Sequence, residues 1–145
     1  MLEDLYQELI LDHNRYPHHY GQLPRHSHRA HGHNPLCGDE LEVYLWVQNN
    51  QIQDIGFTGQ GCAISKSSAS IMTDELIGKT LEEASLIFED FHQLLTREDA
   101  LGEKLSKAQV FAGVRQFPIR VKCATLAWHT LHAALEKKAD PVTTE

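Results

Sequence analysis

The chain has 145 residues, of which 41% are hydrophobic and 23% charged, a composition typical of one globular domain spanning residues 1–145. Its formal net charge of −7 repels nucleic acid and anionic membranes, so neither is an expected partner. The N-terminus is acidic, unlike a secretory leader, and no apolar run reaches membrane-spanning length, so a cytoplasmic location is predicted.

The first segment, residues 2 to about 15, is predicted to be an amphipathic helix that Pro17 ends, because apolar side chains recur at helical spacing. These side chains are Leu2, Leu5, Tyr6, Leu9 and Ile10. The polar tract that follows, His18–His33, contains six histidines and suits either a metal-binding segment or a solvated surface loop. Irregular spacing and the lack of interleaved thiols or carboxylates favour the loop.

The central segment is predicted to be a β-hairpin. Apolar and polar residues alternate over Leu41–Val47, as expected for a strand with one buried face. Asn49 and Asn50 are typical turn residues, and the returning strand covers residues 52–57. Ile52 and Ile55 are out of phase for strict alternation, which allows a β-bulge there.

Four helices are predicted in the second half of the chain. The first runs from Ala63 to Ile77, and the second begins at a capping box formed by Thr80 and Glu83 and ends near Leu95. A short helix is predicted over residues 103–112, closed by Gly113. The last begins at Pro118 and carries an apolar stripe as far as Leu135.

The three cysteines lie in three different settings. An odd number of cysteines in a chain without an export signal favours metal or thiol chemistry over a disulfide framework. A free cysteine is more often a small buried hydrophobe. Against that, glycines stand beside Cys37 and Cys62, and Asp39 lies two residues after Cys37, where a carboxylate beside a core thiol would need a partner.

Together, Cys37, Asp39, Cys62 and Cys123 would form a tetrahedral site of three sulfurs and one oxygen, which suits Zn²⁺. Arg120 and Lys122 lie close to Cys123 in sequence and would offset the site's negative charge or guide an incoming group; the alternative for both is a solvated helix face. A site with all four positions closed is typical of a structural metal, unless one ligand can leave.

The cysteine motifs resemble those of the U-type iron–sulfur cluster assembly proteins, namely SufU, IscU and the N-terminal domain of NifU. The matching segments are Asp12-His13 with Pro17 and Gly21, Asn34–Asp39, Gly59–Ser65, Phe117-Pro118 and Lys122–Trp128. The resemblance implies an α+β fold of the SufE/NifU type, with a small antiparallel three-stranded sheet packed against several helices. It also implies that the three cysteines and Asp39 converge at one exposed edge.

Three features are more similar to SufU than to IscU-like members. Lys122 stands where IscU-like members have a histidine, and Phe117–Lys122 stands in place of their Leu-Pro-Pro-Val-Lys chaperone segment. The interval of 61 residues between Cys62 and Cys123 is also longer, with the extra helical material around residues 96–112.

The resemblance implies a sulfur acceptor rather than a stand-alone enzyme. Zn²⁺ would be held by Cys37, Asp39, Cys62 and Cys123, and the partner would be a SufS-like cysteine desulfurase. On docking, a desulfurase side chain would replace Cys37 at the metal and free its thiolate to accept a persulfide sulfur, which would pass to iron–sulfur scaffold or acceptor proteins.

Two alternatives stay open at this point. The same four groups would also hold iron in a transient [2Fe–2S] cluster, which would make the chain a scaffold for cluster assembly and transfer. A structural zinc-binding interaction protein is the third candidate, and it requires a site that never opens.

Overall fold

The computed structural model describes residues 2–137 and 142–143, with side chains described over 6–137. In chain order the elements are α1 (Leu2–Arg15), β1 (His28–Asn34), β2 (Asp39–Gln48), β3 (Gln51–Gln60), α2 (Ala63–Leu76), α3 (Leu81–Thr96), a 3₁₀ helix (Lys107–Gln116), α4 (Pro118–Leu135) and β4 (Val142–Thr143). The predicted α+β class with a three-stranded antiparallel sheet is confirmed, and β4 adds a short parallel pairing to β1.

The sheet has the strand order β3-β2-β1-β4. Asn49 and Asn50 both adopt positive φ, at 52° and 63°, as a type I′ turn between β2 and β3 requires. The predicted irregularity is also present. Trp46 pairs with Asp54 and Val47 with Ile52, so one extra residue lies on β3 between the two pairs.

The prediction of a loop through His33 is wrong over residues 28–34, which form β1. Cross-strand polar contacts, such as His31 Nδ1 to Glu42 Oε1 at 2.9 Å, replace the apolar alternation on its outer side. Gly32 lies on its inner side, where an added Cβ would be 2.0 Å from Thr130 Oγ1 of α4. A strand whose inner residues must be small for a helix to pack closely carries no apolar period in its sequence.

The core lies where α4 crosses the sheet and packs between α2 and α3. Trp128 stacks on Phe91 with ring centroids 4.0 Å apart, and its indole N–H donates to Ser68 Oγ at 3.0 Å. The predicted capping box of α3 is confirmed by bonds between Thr80 and Glu83 of 3.0 and 3.1 Å. From α1, Tyr6, Leu9 and Ile10 pack on the core; the side chains of Leu2 and Leu5 lie outside the described residues.

The short helix predicted over 103–112 is instead the 3₁₀ helix Lys107–Gln116, and Gly113 lies inside it rather than closing it. Its start is fixed by the buried carboxylate of Glu75, which accepts backbone N–H bonds from Ser106 at 2.8 Å and Ala108 at 3.3 Å. Buried residues recur at intervals of three, which is the 3₁₀ period, from Leu105 through Ala108 and Phe111 to Val114, and Val110 is buried as well. Among the described residues, no helix has the length and apolarity needed to span a membrane.

Candidate metal centre

The four residues predicted as ligands lie at one end of the α2–α4 pair. Cys37 lies in the β1–β2 turn and Asp39 begins β2, while Cys62 is the N-cap of α2 and Cys123 lies in the second turn of α4. The turn is closed by the backbone carbonyl of Asn34, which accepts from the N–H groups of Cys37 at 3.2 Å and Gly38 at 2.9 Å. Gly38 has a φ of +74°, which an L side chain rarely adopts.

The distances between the side chains suit one shared metal ion. Cys37 Sγ and Cys123 Sγ are 3.1 Å apart, and each has a ligand atom within 4.8 Å of one from Asp39. Cys62 Sγ lies 3.9 Å from Asp39 Oδ2 but stands outside that mutual group of three. Sulfur ligands of one tetrahedral Zn²⁺ at 2.3 Å lie about 3.8 Å apart, so the Cys37 and Cys123 sulfurs would separate by about 0.7 Å to share an ion.

The site is buried on one side and open on the other. Asp39 is 0% exposed and Cys123 3% exposed, whereas Cys37 and Cys62 are exposed thiols. The convergence implied by the family resemblance is therefore present in the structure, although the exposed part of the edge comprises Cys37 and Cys62. The ligand role of all four stays a prediction.

Asp39 is held in place by the start of α2. The backbone N–H of Cys62 donates to Asp39 Oδ1 at 2.8 Å, which leaves Oδ2 facing the sulfurs. Gly61 makes this contact sterically accessible, because a Cβ there would be 2.7 Å from Asp39 Oδ1. The Cys62 sulfur in turn accepts the N–H of Ser65 at 3.4 Å and caps the helix.

The protonation state of Cys123 depends on whether a cation is bound. Burial, and then hydrogen bonds to Cys37 and Asp39, raise the pKa of the Cys123 thiol far above its ordinary value. Without a nearby positive charge, Cys123 therefore stays protonated, whereas a bound dication deprotonates a coordinating thiol. Three thiols and a carboxylate with one free oxygen are a donor set that fits Zn²⁺ or iron.

Two residues that the sequence did not assign to the site are part of it. Asn34 is fully buried; its Nδ2 donates to Cys123 Sγ at 3.7 Å, and its Oδ1 accepts from the N–H of Leu36 at 3.2 Å. An asparagine before Pro35 is a typical turn-forming residue, and that signal identifies it. Ser65 is the one side chain among the described residues whose buried polar atom, Oγ, has no hydrogen-bond partner.

A groove of about 580 Å³ opens onto the three cysteines. Its walls come from α1, the 3₁₀ helix and the start of α4, and are mainly apolar: Tyr6, Ile10, Leu11, Ile64, Val110, Val114, Phe117 and Ile119. The guanidinium of Arg120 lines the groove 4.7 Å from the Phe117 ring centroid, whereas Lys122 is half-buried beside Cys123. That either cation offsets the charge of the site remains a prediction.

Comparison with known proteins places this geometry in a family. Residues 5–124 match the model of the NifU-like N-terminal domain. The chain is 39% identical to the iron–sulfur cluster assembly scaffold protein IscU of Streptococcus pyogenes over 96% of its own length and 87% of the relative's. It is 36% identical to the zinc-dependent sulfurtransferase SufU of Bacillus subtilis, over 94% of this chain and 93% of that relative.

A solved structure has the same fold. The N-terminal part of a nitrogen-fixing NifU-like protein from Brucella abortus superposes with a TM-score of 0.83 at 25% identity, over 94% of this chain and 98% of that one. The resemblance inferred from the cysteine motifs is confirmed: the chain belongs to the NifU-like N-terminal domain family.

Proposed function

We propose that this protein works in iron–sulfur cluster assembly as a zinc-bound sulfur acceptor for a cysteine desulfurase. The observation that carries the proposal is the pairing of an exposed thiol, Cys37, with the buried Cys123 at 3.1 Å, at the mouth of an apolar groove. The similarity to SufU of Bacillus subtilis, a zinc-dependent sulfurtransferase, supports the same assignment.

Cys37, Asp39, Cys62 and Cys123 would hold the zinc. When bound, Zn²⁺ supplies the positive charge that keeps the cysteines as thiolates at neutral pH. Asp39 contributes one oxygen among sulfurs, and that oxygen is a harder donor than thiolate. Since Asp39 Oδ1 is already bonded to the N–H of Cys62, the carboxylate keeps its position whether or not Oδ2 binds a metal.

Sulfur transfer to Cys37 is a thiol–disulfide exchange. The Cys37 thiolate attacks the outer sulfur of a persulfide on the desulfurase, and a new sulfur–sulfur bond forms at Cys37. The bond within the donor persulfide breaks, and its electron pair leaves on the donor's cysteine thiolate. Cys37 suits this role because it is exposed on a turn, whereas Cys123 is buried behind it.

The groove is suited to admit the donor segment of a desulfurase. Apolar side chains on its walls would exclude water around the exchanging sulfurs, and Arg120 adds a positive charge near its mouth. The persulfide formed on Cys37 would pass to an iron–sulfur scaffold or acceptor protein that enters by the same groove.

The decisive experiment uses the purified desulfurase, cysteine and this protein. We expect mass spectrometry to show one added sulfur atom on the peptide that carries Cys37, and Cys37→Ala to abolish stimulation of the desulfurase. Tyr16→Ala is a matched control, since this exposed side chain is outside the residues that line the groove. Full stimulation by Cys37→Ala would rule out the acceptor role.

A scaffold for a [2Fe–2S] cluster is the second candidate, and one observation favours it. The four groups form two close pairs, Cys37 with Cys123 and Asp39 with Cys62, and a two-iron cluster takes two ligands at each iron. Anaerobic reconstitution with iron and sulfide, followed by visible absorption and iron counting, separates the two roles. Zinc that iron cannot displace supports the acceptor; a stable, transferable cluster supports the scaffold.

A purely structural zinc site is the third candidate. It requires that no ligand exchanges, and the exposure of Cys37 and Cys62 argues against it. Zinc exchange measured with a competing chelator tests this directly, because a closed structural site would release its metal much more slowly than a site with exposed ligands.

A further inference from the structure

A second cluster of metal-ligating side chains lies at the opposite end of α2 from the cysteines. His13 comes from the last turn of α1, His18 from the turn after it, and Asp74 from the last turn of α2. One ligand atom from each lies within 4.8 Å of the others. Asp74 follows Cys62 by twelve residues, so the two clusters are about 18 Å apart along the helix axis.

One hydroxyl group contacts the His13 ring and the His18 backbone. Ser70 lies one helical turn before Asp74, and its Oγ is 2.6 Å from His13 Nδ1 and accepts the backbone N–H of His18 at 2.7 Å. A histidine that ligates a metal usually donates its other ring N–H to such a second group. With Nδ1 of His13 at Ser70, its Nε2 is the nitrogen available for a metal ion.

The spacing between His18 and Asp74 also suits coordination. Nδ1 of His18 lies 2.7 Å from Asp74 Oδ2, a hydrogen-bond distance, and tetrahedral ligands at 2.0–2.2 Å from zinc lie about 3.4 Å apart, so the two atoms would separate by less than about 1 Å to bind one ion. The ring centroids of His13 and His18 are 4.3 Å apart. His13 is buried at 3% exposure, whereas the His18 side chain is 46% exposed. The cluster is therefore buried on the His13 side and accessible to solvent on the His18 side.

The local electrostatic field favours a cation at this position. The C-terminal turns of α1 and α2 meet here, and the negative ends of two helix dipoles therefore face the cluster. A cation is already present, since Lys107 Nζ lies 2.8 Å from Asp74 Oδ2. That lysine side chain is 43% exposed, so its ammonium group can move into water and give up the carboxylate.

We propose that His13, His18 and Asp74 form a second metal site, specific for divalent transition ions of the Zn²⁺ class and filled in competition with Lys107. Two imidazoles and one carboxylate are a donor set for Zn²⁺, Co²⁺ or Ni²⁺ rather than for Ca²⁺ or Mg²⁺. The site joins α1 to α2, and α1 forms one wall of the groove above the cysteines. Although the tract 18–33 contains no carboxylate, the fold supplies one from α2.

The test is equilibrium dialysis of the full chain against Co²⁺, combined with absorption spectroscopy. We expect two Co²⁺ per wild-type chain. One produces the near-ultraviolet thiolate-to-cobalt band of the cysteine site; the other binds without it, because its ligands are nitrogen and oxygen. If the cysteine site binds no Co²⁺, the thiolate-to-cobalt band is absent while the Co²⁺ at the histidine site still binds. The proposed cysteine metal site and the proposed second site can therefore fail independently.

Substitutions show which residues bind the second Co²⁺ ion. His18→Gln and Asp74→Asn are each expected to weaken it by at least about 100-fold, since loss of an outer-shell partner alone can cost that much. Both variants keep the thiolate band. Lys107→Met is expected to tighten Co²⁺ binding about fivefold, the size of an exposed ion pair.

His26→Gln is the matched control, because that ring lies outside both clusters and contacts the Leu23 carbonyl at 3.1 Å. It should keep both equivalents. Circular dichroism melts establish that each variant is folded. A wild-type chain that binds only thiolate-ligated Co²⁺, or a second equivalent that His18→Gln and Asp74→Asn leave intact, overturns the proposal.

Discussion

Among single residues, Gly61 has a strict steric requirement at the cysteine site. A Cβ at this position would be 2.7 Å from Asp39 Oδ1 and would push the carboxylate away from the sulfurs. We predict that Gly61→Ala weakens Zn²⁺ binding about tenfold or more, as loss of a positioning contact at a metal does. Competition with a chromogenic chelator measures the affinity.

Gly113→Ala is the control for that prediction. An added Cβ at Gly113 has no atom within 4 Å, and alanine is favoured over glycine in a helical segment. Zinc affinity should be unchanged in this variant. Equal affinities of Gly61→Ala and Gly113→Ala would show that the position of Asp39 does not govern metal binding.

Two serines on the same face of α2 are predicted to respond in opposite directions. Ser65 Oγ is buried without a partner, whereas Ser68 Oγ donates to the Ala124 carbonyl at 2.5 Å and accepts from the Trp128 indole. In metal-free protein, Ser65→Ala should raise the free energy of unfolding by about 1 kcal/mol, and Ser68→Ala should lower it by about 1–3 kcal/mol.

Urea unfolding of the two variants beside wild type gives both values. The same unfolding measurements are then repeated with zinc-loaded protein. If the Ser65 hydroxyl donates to a metal-bound thiolate, the stability gain of Ser65→Ala should disappear once zinc is bound. A loss of stability in metal-free Ser65→Ala would mean that its hydroxyl already has a partner.

Among the elements, the contact between α3 and α4 contains a group of three histidines around Phe88. His129 lies 5.4 Å from Phe88 and 5.7 Å from His92, and His132 stacks on Phe88 at 4.8 Å. Burial, followed by the positive charges of His92 and His132, lowers the pKa of His129 below 6.5. The folded protein therefore binds fewer protons here than the unfolded chain does below that pH.

The free energy of unfolding should consequently fall as the pH drops from about 6.5 towards the lowered pKa of His129. Above about pH 6.5 this contribution to stability is retained. We predict that His129→Gln reduces the loss of Tm between about pH 7.5 and pH 5.5, because glutamine does not titrate. Thermal melts at the two values, with His26→Gln as the control, measure the difference. An unchanged pH dependence in His129→Gln would contradict the assignment.

For the whole molecule, metal binding is predicted to couple to folding. The four groups at the cysteine site come from the β1–β2 turn, β2, α2 and α4, which are brought together only in the folded chain. Zinc at 100 times its Kd should therefore stabilise the protein by about 2.7 kcal/mol, or about 5–10 °C in Tm. Calorimetry with and without a chelator tests this.

Asp39→Ala and Cys62→Ala should each reduce the zinc-dependent part of this rise, while Gly113→Ala should keep it. The proposed second site contributes its own part, which His18→Gln removes separately. A zinc-dependent Tm that neither Asp39→Ala nor Cys62→Ala changes would show that zinc does not bind there in the folded state.

Some features follow from local patterns alone, because their causes are local. Alternation in β2, the Asn49-Asn50 turn and the Thr80–Glu83 capping box each depend on residues within a few positions of each other. The i, i+3 spacing of Leu105, Ala108, Phe111 and Val114 was also present in the sequence and indicated a helix, but its 3₁₀ type was not predicted. Strand β1 was missed because Ala30 and Gly32, two positions apart on one side of the strand, are small, and Gly32 makes room for Thr130 of α4, which is 98 residues further along the chain.

The sequence by itself determined the family, through its cysteine motifs, and predicted a metal–thiol site from three cysteines and one aspartate with glycine neighbours. Only the tertiary structure decided which thiols are exposed, that Asn34 contacts Cys123, and that Asp74 lies beside His13 and His18. The physical reason is that burial and the distance between side chains depend on how the helices pack on the sheet, and residue spacing along the chain does not specify that packing.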